Sequence, residues 1–291
     1  MRLPPAPAHP ERLVFLGTPA VAARTLRGLV DAGHEVCLVV SQPDKRRVRG
    51  GRVSASPVKA TALDLGLPVS DRVDDVLDVG ADLGVVVAYG QLIRPHILER
   101  LPMVNLHYSL LPRWRGAAPV ERAILAGDER TGVDLMAVEE GLDTGGIYDR
   151  VELTIGPDET ADELRERLAE AGCALLLDNL ARGLGTPRPQ EGPATYAPKI
   201  EVAELEIDWS RPAIEVHRLV RVGGAWTTFR GTRLKIWRTT LDDDPPRALT
   251  VPAGDRPIHV LEVQPEGKRR MPAADWANGV RWEPGRDRLG T

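Results

Sequence analysis

Cysteine, long apolar runs, nucleotide-type glycines and metal-type histidine spacings are scarce or missing in this chain of 291 residues. Its two cysteines, Cys37 and Cys173, make no motif. They read as buried thiols in a reducing cytoplasm, which sets aside a disulfide framework and redox catalysis. No stretch approaches the roughly 20 apolar residues that a membrane-crossing helix needs. The opening MRLPPAPAHPE lacks the apolar core of a signal peptide and reads as a disordered, proline-rich tail. GTPAVA at 17–22 lacks the G-x-G-x-x-G glycines that let a pyrophosphate approach the backbone, which disfavours a nicotinamide enzyme. The histidines, His9, His34, His96, His107, His217 and His259, show no H-x-x-x-H or Cys/His spacing, so no metal is implied. With 42 acidic against 38 basic residues the formal net charge is −4. That argues against indiscriminate nucleic-acid binding and leaves room for a local basic site.

What is present suits a soluble globular chain of about two domains, able to bury substantial cores. RLVFLG at 12–17 is a compact strand, Pro19 suits the first turn of a helix running to about Ala32 with Gly33 as its cap, and EVCLVVS at 35–41 is a second strand. A helix at 57–65, a short strand at 67–69, a short helix at 71–79 and the apolar central strand DLGVVVA at 82–88 continue the alternation. Helix is expected again at 117–127 and, longest, at 160–183, opened by an Asx or Thr cap. GTPRPQEGPATYAP at 185–198 is the clearest linker. Beyond it a helix at 213–222 and short strands at 225–229, 233–238 and 259–263 suggest a small barrel.

Residues 105–143 concentrate the chemistry in a strand, loop, helix, strand unit. Asn105 and His107 sit two apart at the end of a short apolar run, so an extended chain points both to one side. In open α/β sheets the carboxyl ends of strands are where ligands bind. Asp143 follows a second strand-like run, 133–138, in the glycine-rich turn EGLDTGG. An amide N–H can donate to an oxyanion, an imidazole can polarise or relay a proton, and a carboxylate can orient the imidazole. Acyl transfer to an amine needs an oxyanion donor and a base, with no side-chain nucleophile. By spacing alone, Asn105 and His107 fit ordinary strand-end polar groups satisfied by backbone better than a catalytic pair.

SLLPRWRGAAP at 109–119, with Asn105, His107 and Asp143 around it, resembles the signature of the methionyl-tRNA formyltransferases. The resemblance implies 10-formyltetrahydrofolate as formyl donor, the α-amine of initiator Met-tRNA as acceptor, no metal, and Asn105, His107 and Asp143 as the catalytic trio. It further implies a pterin pocket lined by Tyr89, Gly90, Gln91 and Leu92 in AYGQLI, by Ser109, Leu110, Leu111 and Pro112, and by Leu142. The loop QPDKRRVRGGRVSASPVK at 42–59 is long and basic; composition alone fits a solvated loop as well as a nucleic-acid contact. In the family the equivalent insertion meets the tRNA acceptor end, which implies tRNA contacts for Lys45, Arg46, Arg47, Arg49 and Arg52. Lys268, Arg269 and Arg270 would extend that basic track, and Arg113 and Arg115 face phosphates or merely solvent.

IDW at 207–209, GTRLKIW at 231–237 and VQPEGKRRMPAADW at 263–276 resemble the family's C-terminal, OB-like domain. The expected division is a tail at 1–11, a catalytic domain with a Rossmann-like, mostly parallel sheet at 12–184, a linker at 185–205, and an OB-like small β-barrel at 206–291 binding tRNA. A cytoplasmic monomer active in translation initiation is expected. Three positions and one stretch depart from the family. Val21 stands where Phe is common. Tyr108 replaces a small residue and is expected to narrow the folate or aminoacyl pocket, and Gly146 replaces an acidic one. The proline-rich stretch 241–258 is short and is expected to lack one or two barrel strands. Two rivals share the trio: an amino-sugar-nucleotide N-formyltransferase, and an idle RNA-binding paralogue whose pocket Tyr108 blocks.

Overall fold

The computed structural model describes residues 3–46, 53–243 and 245–291. The chain forms two compact units, Met1–Pro119 with Arg130–Thr154 and Arg165–Ala197, and Val120–Glu129 with Ile155–Leu164 and Pro198–Thr291. Among the described residues no helix is long and apolar enough to cross a membrane.

In chain order the first elements are β1 (Arg12–Gly17), α1 (Ala20–Asp31), β2 (Glu35–Val40), the small hairpin β3 (Lys45–Arg46) and β4 (Val53–Ser54), and α2 (Pro57–Asp64). Ser56 caps α2 by accepting from the Lys59 N–H at 3.0 Å. Then come β5 (Val69–Ser70), β6 (Leu83–Val87), α3 (Pro95–Leu98), β7 (Met103–His107), β8 (Arg115–Gly116), α4 (Pro119–Ala126), β9 (Arg130–Ala137), β10 (Ile147–Thr154), α5 (Ala161–Arg182) and β11 (Tyr196–Ala197). The main sheet runs β10-β9-β7-β6-β1-β2-β5. Its five strands from β7 to β5 are parallel, whereas β9 and β10 are antiparallel additions beyond β7. The mostly parallel, Rossmann-like sheet is therefore present.

One face of this sheet packs Val14, Leu16, Val86 and Met103 against Ile97 and Leu98. On the other, Gly172 of α5 lies against Leu106 and Val133. Helix α1 approaches α5 so closely that a Cβ on Gly28 would sit 2.6 Å from the Cys173 sulfur. Cys37 and Cys173 are free and only partly buried.

The amino-terminal stretch expected to be disordered is laid down from residue 3 onward: Leu3 packs on the cluster of Val14, Leu16, Ile97 and Met103, and the Leu184 N–H donates to Ala8 O at 2.7 Å. Proline there restricts the chain to extended shapes, and it needs only one partner edge to dock. The segment 185–205 is also tied down, with Arg188 bridging Ile147 and β11 pairing β8.

The second unit adds α6 (Ala213–Val222), β12 (Trp226–Phe229), β13 (Thr232–Thr240), β14 (Leu249–Val251), β15 (Ile258–Pro265), β16 (Met271–Pro272) and α7 (Ala273–Gly279). The strands form one antiparallel sheet, β12-β13-β15-β14 with β16 on β15, a half-barrel over a core that includes Phe229, Ile236, Val260 and Trp276. The 241–258 stretch, expected to lack a strand or two, supplies the short β14: Leu249 and Val251 face inward and Thr250 outward.

His217 of α6 is buried, with Nε2 donating to Pro157 O at 3.1 Å and Nδ1 paired to Thr239 Oγ1 at 2.9 Å. Burial holds its imidazole below the ordinary histidine range, against the opposing pull of Pro157 and Asp158. A histidine that resists protonation in the fold contributes stability that is complete above its unfolded pKa, about 6.5. That contribution is lost as pH falls below that value toward the folded pKa, because the unfolded chain then binds the extra proton. His217→Gln can keep both hydrogen bonds without titrating. Its melting temperature is expected to fall less than that of the unsubstituted chain between about pH 7.5 and about pH 5.5; equal falls in a thermal scan would discount His217 as the cause.

Candidate active site

Strand β7 delivers Asn105 and His107 to its carboxyl end, and pairing with β6 places Val86 opposite Asn105. The segment 88–92 thus leaves the sheet one strand away. Asn105 is partly exposed, and among the described residues its side-chain amide has no hydrogen-bond partner. His107 is 5% exposed. Its Nε2–H donates to Trp114 O at 2.9 Å, a direction fixed by the carbonyl, which can only accept. Its Nδ1 lies 3.6 Å from Asp143 Oδ2. In the neutral ring that nitrogen carries the lone pair, so a proton arriving there is met by the carboxylate. Asp143 also accepts from the Gly116 N–H at 2.7 Å and adopts a left-handed φ of 51°. The trio's imidazole and carboxylate are brought together, and Asn105 stands on the same strand face two residues before the ring.

The loop 109–118 is fastened along its length. Ser109 Oγ donates to Arg113 O at 2.6 Å. The Leu111 N–H donates to Asp134 Oδ2 at 2.8 Å, while Arg150 Nη2 donates to Leu111 O at 2.7 Å. Asp134, fully buried on β9 opposite His107, receives Arg150 Nε and Nη2 at 2.6 Å each. Burial pushes the Asp134 carboxyl up, opposed by the Arg150 guanidinium, which Asp134 raises in turn. Further on, the Trp114 N–H donates to Thr195 Oγ1 and the Ala117 N–H to Ala197 O, each at 2.9 Å.

Sequence reasoning missed Asp134, Arg150, Gln190 and Thr195. A signal existed for the first: a carboxylate in the apolar run GVDLMAV must be paired once that strand is buried. Gln190, within the proline-rich stretch, donates to Asp143 O at 2.8 Å and Gly145 O at 2.9 Å.

The Tyr108 expectation is corrected. Successive residues along an extended chain face opposite sides, and the phenol lies on the α1 and α5 side, in the field of Arg24, Glu166 and Cys173. Burial drives its pKa up, and its hydroxyl is buried without a partner among the described residues. It does not narrow a pocket at Asn105 and His107. Gly146 leaves room for the strand-like passage of Pro187 and Arg188, 3.1 Å from where its Cβ would stand.

Of the expected folate-pocket residues, Tyr89 is buried and its carbonyl accepts from Gln42 Nε2 at 2.9 Å. Gly90 takes a φ of 77°, and Gln91 is exposed. Leu92 and Leu142 are large apolar side chains left 74% and 50% exposed. Ser109 and Leu111 are buried, Leu110 packs over Gly132, and Pro112 follows a cis peptide bond.

Of the expected tRNA contacts, Arg47, Arg49 and Arg52 lie outside the described residues, while Lys45 and Arg46 form β3. Arg113 is exposed with its guanidinium 4.4 Å over the Trp114 ring. Arg115 faces neither solvent nor phosphate alone: its Nε and Nη2 donate to Gln190 Oε1 at 3.1 and 2.6 Å. Lys268, Arg269 and Arg270 are exposed, Arg270 stacking 3.3 Å over Trp237. Among the described residues no group of three or more His, Cys, Asp or Glu is placed to hold a metal ion.

Residues 11–180 match the family model described as formyl transferase, and 199–281 match formyl transferase, C-terminal domain. A methionyl-tRNA formyltransferase of Symbiobacterium thermophilum is 44% identical over 301 residues, covering 92% of each chain. Another, of Thermobifida fusca, is 44% identical over 300 residues, covering 93% of this chain and 96% of that one. Among solved structures, the N-formyltransferase from Helicobacter canadensis in complex with folinic acid and dTDP-3-aminofucose shares the fold at a TM-score of 0.68. It is 17% identical and covers 85% of this chain and 98% of that one. With both domain models matched in order and close relatives aligned over nearly its whole length, the chain belongs to the formyl transferase family, among the methionyl-tRNA formyltransferases.

Proposed function

We propose that this chain transfers the formyl group of 10-formyltetrahydrofolate to the α-amine of initiator Met-tRNA, as a cytoplasmic, monomeric enzyme of translation initiation. The observation that carries this is the unpartnered Asn105 amide beside a buried imidazole whose Nδ1 looks at a carboxylate. The methionyl nitrogen attacks the formyl carbon, and the carbonyl electron pair moves onto oxygen, where Asn105 and His107 stabilise it. Asp143 orients His107 and assists removal of the amine proton. Collapse breaks the bond to the folate nitrogen, which takes up a proton. Tyr89, Gly90, Gln91, Leu92, 109–112 and Leu142 offer backbone groups and exposed apolar surface to the pterin. The cations at 45–52, with Arg113, Lys268, Arg269 and Arg270, supply phosphate neutralisation for the RNA.

The test offers 10-formyltetrahydrofolate together with Met-tRNA or with an amino sugar nucleotide, and scores which amine gains the formyl group. Formyl-Met-tRNA is expected, with the sugar untouched. Formylation of the sugar alone would overturn the assignment. Catalytic silence with tight tRNA binding would favour an idle RNA binder, a view that has lost its structural support now that Tyr108 lies away from the trio.

A further inference from the structure

We infer that Gln190 is a positioning residue for formyl transfer, holding Asp143 at its working distance from His107; this rests on the trio being the transfer site. The side chain uses its whole hydrogen-bonding capacity. Nε2 donates to Asp143 O at 2.8 Å and to Gly145 O at 2.9 Å, and Oε1 accepts from Arg115 Nε at 3.1 Å and Nη2 at 2.6 Å. The amide's orientation is unambiguous, because carbonyls only accept and a guanidinium only donates.

Among the described residues the turn that Gln190 holds is otherwise tied by the Gly116 N–H on the Asp143 carboxylate and by the Ala137 N–H on Gly146 O at 2.8 Å. Asp143 is a non-glycine residue in the left-handed region, φ 51°. Gly145 is pressed so closely on Ala137 O, 1.9 Å from its would-be Cβ, that no side chain there can add packing. Among the described residues the Asp143 and Gly145 carbonyls take their hydrogen bonds from this one amide. Gln190 thereby joins the two segments that the trio needs in register, the signature loop through Arg115 and the carboxylate turn through Asp143. Loosening the tie leaves Asp143 present but displaced from Nδ1, a loss of geometry rather than of a reacting group.

Gln190→Met preserves length and removes all four hydrogen bonds. Its kcat is expected to fall by about tenfold or more, with KM for both substrates within about twofold and a folded thermal transition retained. Gln190→Glu keeps the acceptor for Arg115 but sets an anion against the two carbonyls, and its kcat should fall at least as far. If Gln190 acts through Asp143, then adding Gln190→Met to Asp143→Asn lowers kcat by little more than Asp143→Asn alone, whereas a merely structural role gives independent, multiplying losses. Undiminished kcat in Gln190→Met, or fully multiplying losses in the double variant, would overturn the role. An unsubstituted chain that formylates no amine would instead sink the reading of the site, and this role with it.

Discussion

Asn105→Ala is expected to melt close to the unsubstituted chain and to formylate Met-tRNA about 10²–10³ times more slowly, a loss of roughly 2.7–4 kcal/mol in transition-state stabilisation. The two halves of that expectation have one cause. Because the Asn105 amide has no partner among the described residues and is partly exposed, truncation orphans no buried group and opens no sealed cavity. The same vacancy in its hydrogen bonding is what makes the N–H available to charge that develops only during attack. The loss should therefore appear in kcat, with KM little changed. Asn105→Asp keeps the shape, replaces the donor by an acceptor-only anion, and should be slower still. His107 is the less clean position, since its removal also takes away the part-buried bond from Nε2–H to Trp114 O. Full turnover by a folded Asn105→Ala protein would remove the amide from the mechanism.

The parts legible in the sequence are those fixed by short-range periodicity. β1 and α6 fall at the expected residues because each is a compact pattern with clear flanking signals. The common side of Asn105 and His107 follows from the two-residue period of a strand, and the same period, applied one residue further, would have sent Tyr108 to the other face. β10 escaped notice because its residues alternate between half-buried and exposed with charges throughout, as suits the outermost strand of a sheet. The Asp134 to Arg150 pair depends on the antiparallel register of β9 on β10, which places Arg150 opposite Asp134. Local sequence does not specify that register. Gln190 was hidden by composition: proline and glycine show that 185–198 forms no regular element, not where that segment is laid.

Arg150→Met is expected to be the most destabilising single change near the site. It takes the guanidinium from the fully buried Asp134 carboxylate and leaves it the Leu111 N–H among the described residues, and breaking a buried pair in this way costs about 3–5 kcal/mol. Arg150 itself is about one-third exposed, so water softens the loss toward the lower figure. A melting temperature lower by roughly 6–12 °C follows for a chain of this size. The pH dependence identifies the mechanism. Burial already pushes Asp134 up, and without the guanidinium that push is opposed by the Leu111 amide and by the nearby His107. A carboxyl raised in the fold binds a proton that the unfolded chain releases, so the variant loses stability as pH rises from the unfolded value, about 3.9, through the folded one. Its deficit against the unsubstituted chain should be smaller near pH 5 than near pH 8. Adding Asp134→Asn removes the stranded charge while keeping an acceptor for Leu111, and should recover much of the lost stability. Turnover should stay low in that double variant, because Leu111 O still lacks the Arg150 donor that fixes the loop beneath His107. A deficit independent of pH, or no recovery in the double variant, would mean that packing of the Arg150 stem, rather than the buried charge, holds this part of the fold.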